Sequence, residues 1–172
     1  MSIDHATDDL QSVAPLYHAL LVGTVEVPLA GPDAFRLFTP IGEKVWAQDW
    51  DPLFPTPVED DSQPGTVFEI DQHDAIRSAW VVCRREPGQL IHYARFIPGK
   101  NAGTIIVHLT ATPSGSIATI EYELTALSTT AATDLAQFAA QYPQFLSEWE
   151  EAIAKACLRR TPLKDAVEVP EG

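Results

Sequence analysis

The sequence predicts an α+β fold: a curved antiparallel sheet of about six strands wrapped around a long C-terminal helix, with two short helices after the first strand. Three observations carry this. From Ser128 to Arg160, the residues Leu135, Phe138, Tyr142, Phe145, Trp149, Ile153 and Ala156 recur three or four apart and share one helix face, while Gln137, Gln141, Glu148, Glu151 and Lys155 fall off it. Between Thr66 and Leu127, strand-patterned runs are separated by tight-turn sequences. A late helix with so much aromatic surface needs a broad apolar partner, and the strands before it are the available one.

The elements follow in order. Residues 1–14 are polar and acidic and read as a flexible tail. Leu20–Leu29 alternates Val25 and Val27 with Thr24 and Glu26, a first strand that Gly31-Pro32-Asp33 breaks. Pro32 suits a first helical turn whose apolar residues are Ala34, Phe35, Leu37 and Phe38, and Pro40 ends it. Trp46 and Trp50, four apart, would share a face of a second short helix closed by Asp51-Pro52. Pro55, Pro57 and Pro64 with the acidic Glu59-Asp60-Asp61 mark a loop. Thr66–Asp71, Arg77–Arg85, Leu90–Ile97, Thr104–Ala111 and Ile117–Leu127 are strands, with turns at Glu86-Pro87-Gly88-Gln89, Pro98-Gly99-Lys100-Asn101 and Thr112–Ser116. Such short connections require antiparallel neighbours, because parallel strands need long crossovers. Pro143 should bend the last helix; the apolar stripe on both sides of it favours one bent helix, and a second helix that starts at Pro143 after a short break is the alternative. Residues 15–160 are expected to form a single domain and 161–172 a second flexible tail.

The 172 residues are 45% hydrophobic and 20% charged, a globular composition. A formal net charge of -13 makes nucleic acid and anionic membrane surfaces poor partners. No apolar run is long enough to span a membrane, and the acidic N-terminus does not read as a signal peptide. Cys83 and Cys157 stand alone rather than in a CxxC, so the expectation is a reduced, cytoplasmic protein, monomeric or homodimeric. His5, His18, His73, His92 and His108 show no metal-ligand spacing, His73 between Asp71 and Asp74 reads as a surface turn, and no metal or cofactor is expected. Cys83, within a strand, is expected to be buried and inert.

The run Ala34-Phe35-Arg36-Leu37-Phe38-Thr39-Pro40-Ile41-Gly42-Glu43-Lys44-Val45-Trp46, then Trp50-Asp51-Pro52, Gly65-Thr66-Val67-Phe68, Tyr122-Glu123-Leu124-Thr125-Ala126-Leu127-Ser128 and Trp149, resembles the START-like (SRPBCC) helix-grip superfamily across roughly residues 20–157. Within it, the pattern is most similar to bacterial polyketide-cyclase-like and pollen-allergen-like ligand-binding members. The resemblance implies a deep cavity between sheet and long helix, closed at one end by the two short helices. It leaves the chemistry open, since binding proteins and enzymes share the fold.

Sheet parity supplies candidate lining residues. Ala118, Ile120, Tyr122, Leu124 and Ala126 share a face that must meet the helix, and Ile105, Val107 and Leu109 are placed inside with them. Trp80 shares its parity with Ser78 and Val82, and either face of that strand could be the inner one. Tyr93 is assigned to the cavity, whereas Arg95, of the same parity, is expected outside, pairing with Glu69 or Asp71. Trp46 and Trp50 either pack a ligand or anchor the short helices, and nearby Glu43, Asp49 and Asp51 are expected to be solvated. The candidate ligand-binding set is therefore Trp46, Trp50, Trp80, Tyr93, Tyr122, Phe138, Tyr142 and Trp149. The function expected is binding or carriage of a hydrophobic, aromatic or lipid-like small molecule. The alternatives are a cyclase or dehydratase, which needs a titratable group inside the cavity, and a chaperone-associated interaction module, whose one hint is the acidic loop at Glu59–Asp61.

Overall fold

Alternating apolar and polar residues produce one six-stranded antiparallel sheet in the computed structural model, which describes residues 16–71 and 76–160. The elements are β1 (His18–Val27), α1 (Gly31–Arg36), a 3-10 turn (Gly42–Val45), β2 (Val67–Asp71), β3 (Arg77–Glu86), β4 (Leu90–Ile97), β5 (Asn101–Thr112), β6 (Gly115–Ala126) and α2 (Thr129–Arg160). Successive hairpins carry the chain from β2 to β6, and β1 pairs along nearly all of β6, His18 opposite Thr125 through Val27 opposite Ser116. The two expected tails and the turn holding His73 and Asp74 lie outside the described residues.

The inner face of the sheet has the parity of its apolar residues. Ala118, Ile120, Tyr122, Leu124 and Ala126 are buried on β6, and Ile105, Val107 and Leu109 on β5. The register sets Ile105 opposite Tyr122, Val107 opposite Ile120 and Leu109 opposite Ala118. On β3 the inner set is Ser78, Trp80 and Val82, and on β4 it includes Ile91, Tyr93 and Ile97.

Across this face lies α2, in close contact chiefly with β1 and β6. Its start is fixed by Ser128, whose Oγ accepts from the Ala131 N–H at 3.1 Å and donates to the Gly99 carbonyl at 3.0 Å. One hydroxyl thus caps the helix and ties it to the β4–β5 turn. Farther along, the Tyr142 hydroxyl donates to the Ile120 carbonyl at 2.8 Å. The helix continues through Pro143 without interruption, one helix rather than two.

Two expectations are corrected here. The segment after Pro40 makes only a 3-10 turn that stops at Val45, so Trp46 and Trp50 do not share a helical face. Their indole N–H groups donate back to the Leu37 and Pro40 carbonyls at 2.7 and 2.8 Å, and Asp49 takes a φ of 59°, so the chain folds back on itself instead of coiling on. Cys83 is exposed rather than buried: it lies on the outer face of β3, where a bulge falls between Val82 and Arg84.

β5 runs close to β6 at Gly103, which lies opposite Leu124 on β6 and Arg95 on β4. A Cβ there would sit 1.9 Å from the Glu123 carbonyl oxygen, which backbone pairing prevents from yielding. Gly103→Ala is therefore expected to cost about 2 kcal/mol or more, read as a lowered urea midpoint; an unchanged midpoint would contradict this strand spacing.

Candidate functional site

Between α2, the inner face of the sheet and the segment after α1 lies a cavity of about 600 Å³. Its walls include Trp80 from β3, Tyr93 and Arg95 from β4, Ile105 and Val107 from β5, Tyr122 from β6, and Phe145 and Trp149 from α2. Glu43, Asp49 and Trp50 close the remaining side.

Of the candidate ligand-binding residues, Trp50, Trp80, Tyr93, Tyr122 and Trp149 meet around this one space. The other three stand behind them. Trp46 packs edge-on against Trp149 at 5.0 Å, and Phe138 and Tyr142 pack against Tyr122 at 5.8 and 5.9 Å. The aromatic wall is continuous on the β3 side: Trp80 stacks on Phe68 at 5.7 Å, with Trp50 and Tyr93 set edge-on to Trp80 at 5.4 and 5.8 Å. Such edge-to-face pairs add directional preference to simple burial, so these rings form a shaped wall rather than a fluid one. The Tyr93 hydroxyl donates to the Phe38 carbonyl at 2.7 Å, which fastens β4 to the segment just after α1.

Besides its tyrosines and the exposed carboxylates of Asp49 and Asp71, two ionisable side chains stand in this apolar setting. Glu43 reaches it because Gly42 lets the 3-10 turn press against α1; a Cβ at Gly42 would fall 1.6 Å from the Arg36 carbonyl oxygen. Glu43 is buried, and its carboxyl has no hydrogen-bond partner among the described residues. Burial pushes that carboxyl well above its ordinary range, toward a neutral acid. The phenols of Tyr93 and Tyr122 are also raised, first by burial, with the Glu43 charge adding to it.

Arg95 is the second. It was expected outside with Glu69 or Asp71, but those carboxylates pair with Arg77, at 3.2 and 2.7 Å. Arg95 instead follows the parity of Tyr93 into the cavity. Its guanidinium carbon lies 5.4 Å from the Trp80 ring centre and 5.7 Å from that of Tyr122. Its Nη2 donates to Asn101 Oδ1 at 2.8 Å, whereas Nε is enclosed without an acceptor. Burial lowers its pKa, with Tyr122 opposing, yet an arginine so placed remains a cation at neutral pH.

Sequence reasoning missed Glu43 and Arg95 for the same reason: both were judged by the tendency of charges to sit in water. Strict alternation with Tyr93 was the available signal for Arg95. For Glu43, nothing in the local pattern distinguishes it from the solvated Asp51, which holds Lys44 at 2.6 Å. Phe145 was read as part of the helix stripe, yet it faces the cavity directly.

No family model matches the chain, and no curated protein does. Solved structures do. Protein MLL2253 of Mesorhizobium loti aligns over 80% of this chain and 98% of its own, at 16% identity and a TM-score of 0.60. An uncharacterised protein of Rhizobium leguminosarum aligns over 81% and 96%, at 16% identity and a TM-score of 0.58. DynU16, a protein in the dynemicin biosynthetic locus, matches 78% of this chain but 47% of its own, at 15% identity and a TM-score of 0.55. At these identities the similarity is one of fold, and it fits a helix-grip-like sheet with a C-terminal helix. No helix of the described residues is long and apolar enough to cross a membrane.

A raised carboxyl has a definite effect on stability. The unfolded chain releases the Glu43 proton at its ordinary pKa while the folded chain keeps it, so stability falls as pH rises from that value toward the folded one. Glu43→Gln removes this dependence. Its Tm is expected to exceed the wild type by several degrees at neutral pH, with the gap closing toward pH 4; a Glu43→Gln protein that melts lower at neutral pH would show the carboxyl to be ionised and paired.

Proposed function

We propose that the protein binds and carries a hydrophobic small molecule with an aromatic or lipid-like body, as a START-like helix-grip protein. The observation that carries this reading is the cavity itself, about 600 Å³ walled by Trp50, Trp80, Tyr122, Phe145 and Trp149. That volume lies within the range that encloses a small ligand, and apolar walls with a few polar groups are the usual composition of such sites. Burying roughly 200 Å² of apolar ligand surface at about 25 cal/mol per Å² supplies about 5 kcal/mol before the cost of immobilising the ligand.

A second reading has a specific observation in its favour. Glu43, held toward its neutral form inside the cavity, could give a proton to a carbonyl oxygen while Arg95 steadies the charge that develops. That is the requirement of a cyclase or dehydratase. The interaction-module alternative loses its hint, because Asp60 is bonded to Arg85 and Ser62, and Asp61 accepts the Ile41 N–H at 2.7 Å.

Native mass spectrometry of the protein from its own host, followed by denaturing extraction, tests the carrier reading. A stoichiometric hydrophobic passenger is expected. Trp50→Ala should weaken binding of the neutral dye N-phenyl-naphthylamine about tenfold, the order expected for one lost aromatic contact. An empty protein that also fails to light up this dye would sink the proposal. Turnover of an extracted passenger that disappears in Glu43→Gln while binding persists would favour the enzyme.

A further inference from the structure

We infer that the molecule taken up is an aromatic anion, a planar apolar body carrying one charged oxygen group of the carboxylate or phenolate kind, and that its charge is met by Arg95. This rests on the carrier reading above and specifies its ligand class.

The guanidinium offers five N–H donors, and among the described residues Asn101 Oδ1 is the one acceptor it meets. None of the described carboxylates forms an ion pair with it. Glu69 and Asp71 are engaged by Arg77, and Asp60 by Arg85. A cation enclosed by rings without a counter-ion is costly, and a protein interior normally supplies the partner. Here the open side of that partner position is the cavity, walled by Ile105, Val107, Trp80 and Tyr122. The Trp80 and Tyr122 rings, at 5.4 and 5.7 Å, hold the guanidinium from two sides, so its planar fork is presented in a fixed orientation.

Three acids line the cavity: Asp71 is paired with Arg77, Asp49 is exposed to solvent, and the buried Glu43 does not oppose an anion when it is neutral. Glu43 in its protonated form is a hydrogen-bond donor, and its carboxyl has no other partner among the described residues. The rest of the molecule works the other way: with a net charge of -13 it disfavours anions in general. Any preference for an anionic over a neutral ligand must therefore arise locally, which makes the preference a clean readout.

The experiment compares two dyes of nearly the same shape, anilinonaphthalene sulfonate and the neutral N-phenyl-naphthylamine, by fluorescence titration of the wild type, Arg95→Gln and Arg95→Lys. The wild type is expected to bind the sulfonate about tenfold to a hundredfold more tightly than the neutral dye, the order of one charge-assisted contact. Arg95→Gln should erase that difference with neutral-dye binding retained, and Arg95→Lys should keep part of it. If the neutral dye binds but the sulfonate holds no advantage, or keeps it in Arg95→Gln, the inference is overturned and the cavity reading stands. If neither dye binds the wild type, both fall. Should Arg95→Gln fail to fold, competition on the wild type decides: naphthoate must displace the neutral dye at about tenfold lower concentration than naphthylmethanol, and equal potency refutes the inference.

Discussion

The seating of α2 on β1 and β6 governs the rest of the structure. The Ser128 cap fixes where the helix begins, and the Tyr142–Ile120 hydrogen bond fixes how it lies on β6. Neighbouring strands rotate by roughly 20–25° relative to one another. A helix fitted to one side of such a sheet diverges from the strands on the other. The divergence over β2, β3 and β4 is taken up partly by large rings and partly by open space. The cavity is thus a geometric consequence of where the helix is fastened, and the aromatic residues facing it act as props that keep the gap from collapsing.

Against that frame of apolar packing, the treatment of charge is uneven. On the outside, arginines find partners: Arg77 with Glu69 and Asp71, Arg84 with Glu86, Arg85 with Asp60. The Arg85 contact and the Ser62 hydroxyl hold the Asp60 carboxyl below its ordinary range. Inside, Glu43 and Arg95 line the same cavity without bonding to each other or to another charged group among the described residues. Folded chains stand only a few kcal/mol above unfolding, so two such groups are a substantial burden. Sequences keep local violations of this kind where something other than stability is served.

Much of the fold was legible because it depends on periodicity. Alternation on β5 and β6 named the inner residues correctly, and the stripe from Leu135 to Ala156 located α2 through Pro143. The failures fall where a non-local contact outweighs a local pattern. Trp46 and Trp50 have helical spacing, yet each indole finds a carbonyl ten or so residues back and the chain folds to reach it. Cys83 has a strand's sequence context but the outer parity. The site was less legible than the fold. The candidate rings separate into Trp50, Trp80, Tyr93, Tyr122 and Trp149 on the cavity and Trp46, Phe138 and Tyr142 behind it, a division that residue type does not reveal.

Arg95 shows why the polar part of the site resisted reading. Alternation placed it beside Tyr93, while the preference of charge for water placed it outside, and the second rule was given more weight. Geometry reverses that weighting. To face outward, Arg95 would have to break the β4 register that puts it opposite Gly103 on one side and Trp80 on the other, and a one-residue slip would turn Ile91, Tyr93 and Ile97 out of the core with it. Four inward side chains are coupled through one register, and three of them are strongly apolar or aromatic. The cost of enclosing one guanidinium, offset in part by Asn101 and two ring faces, is smaller than the cost of exposing the other three. Strand register therefore carries the charge inside, into the cavity between the sheet and α2.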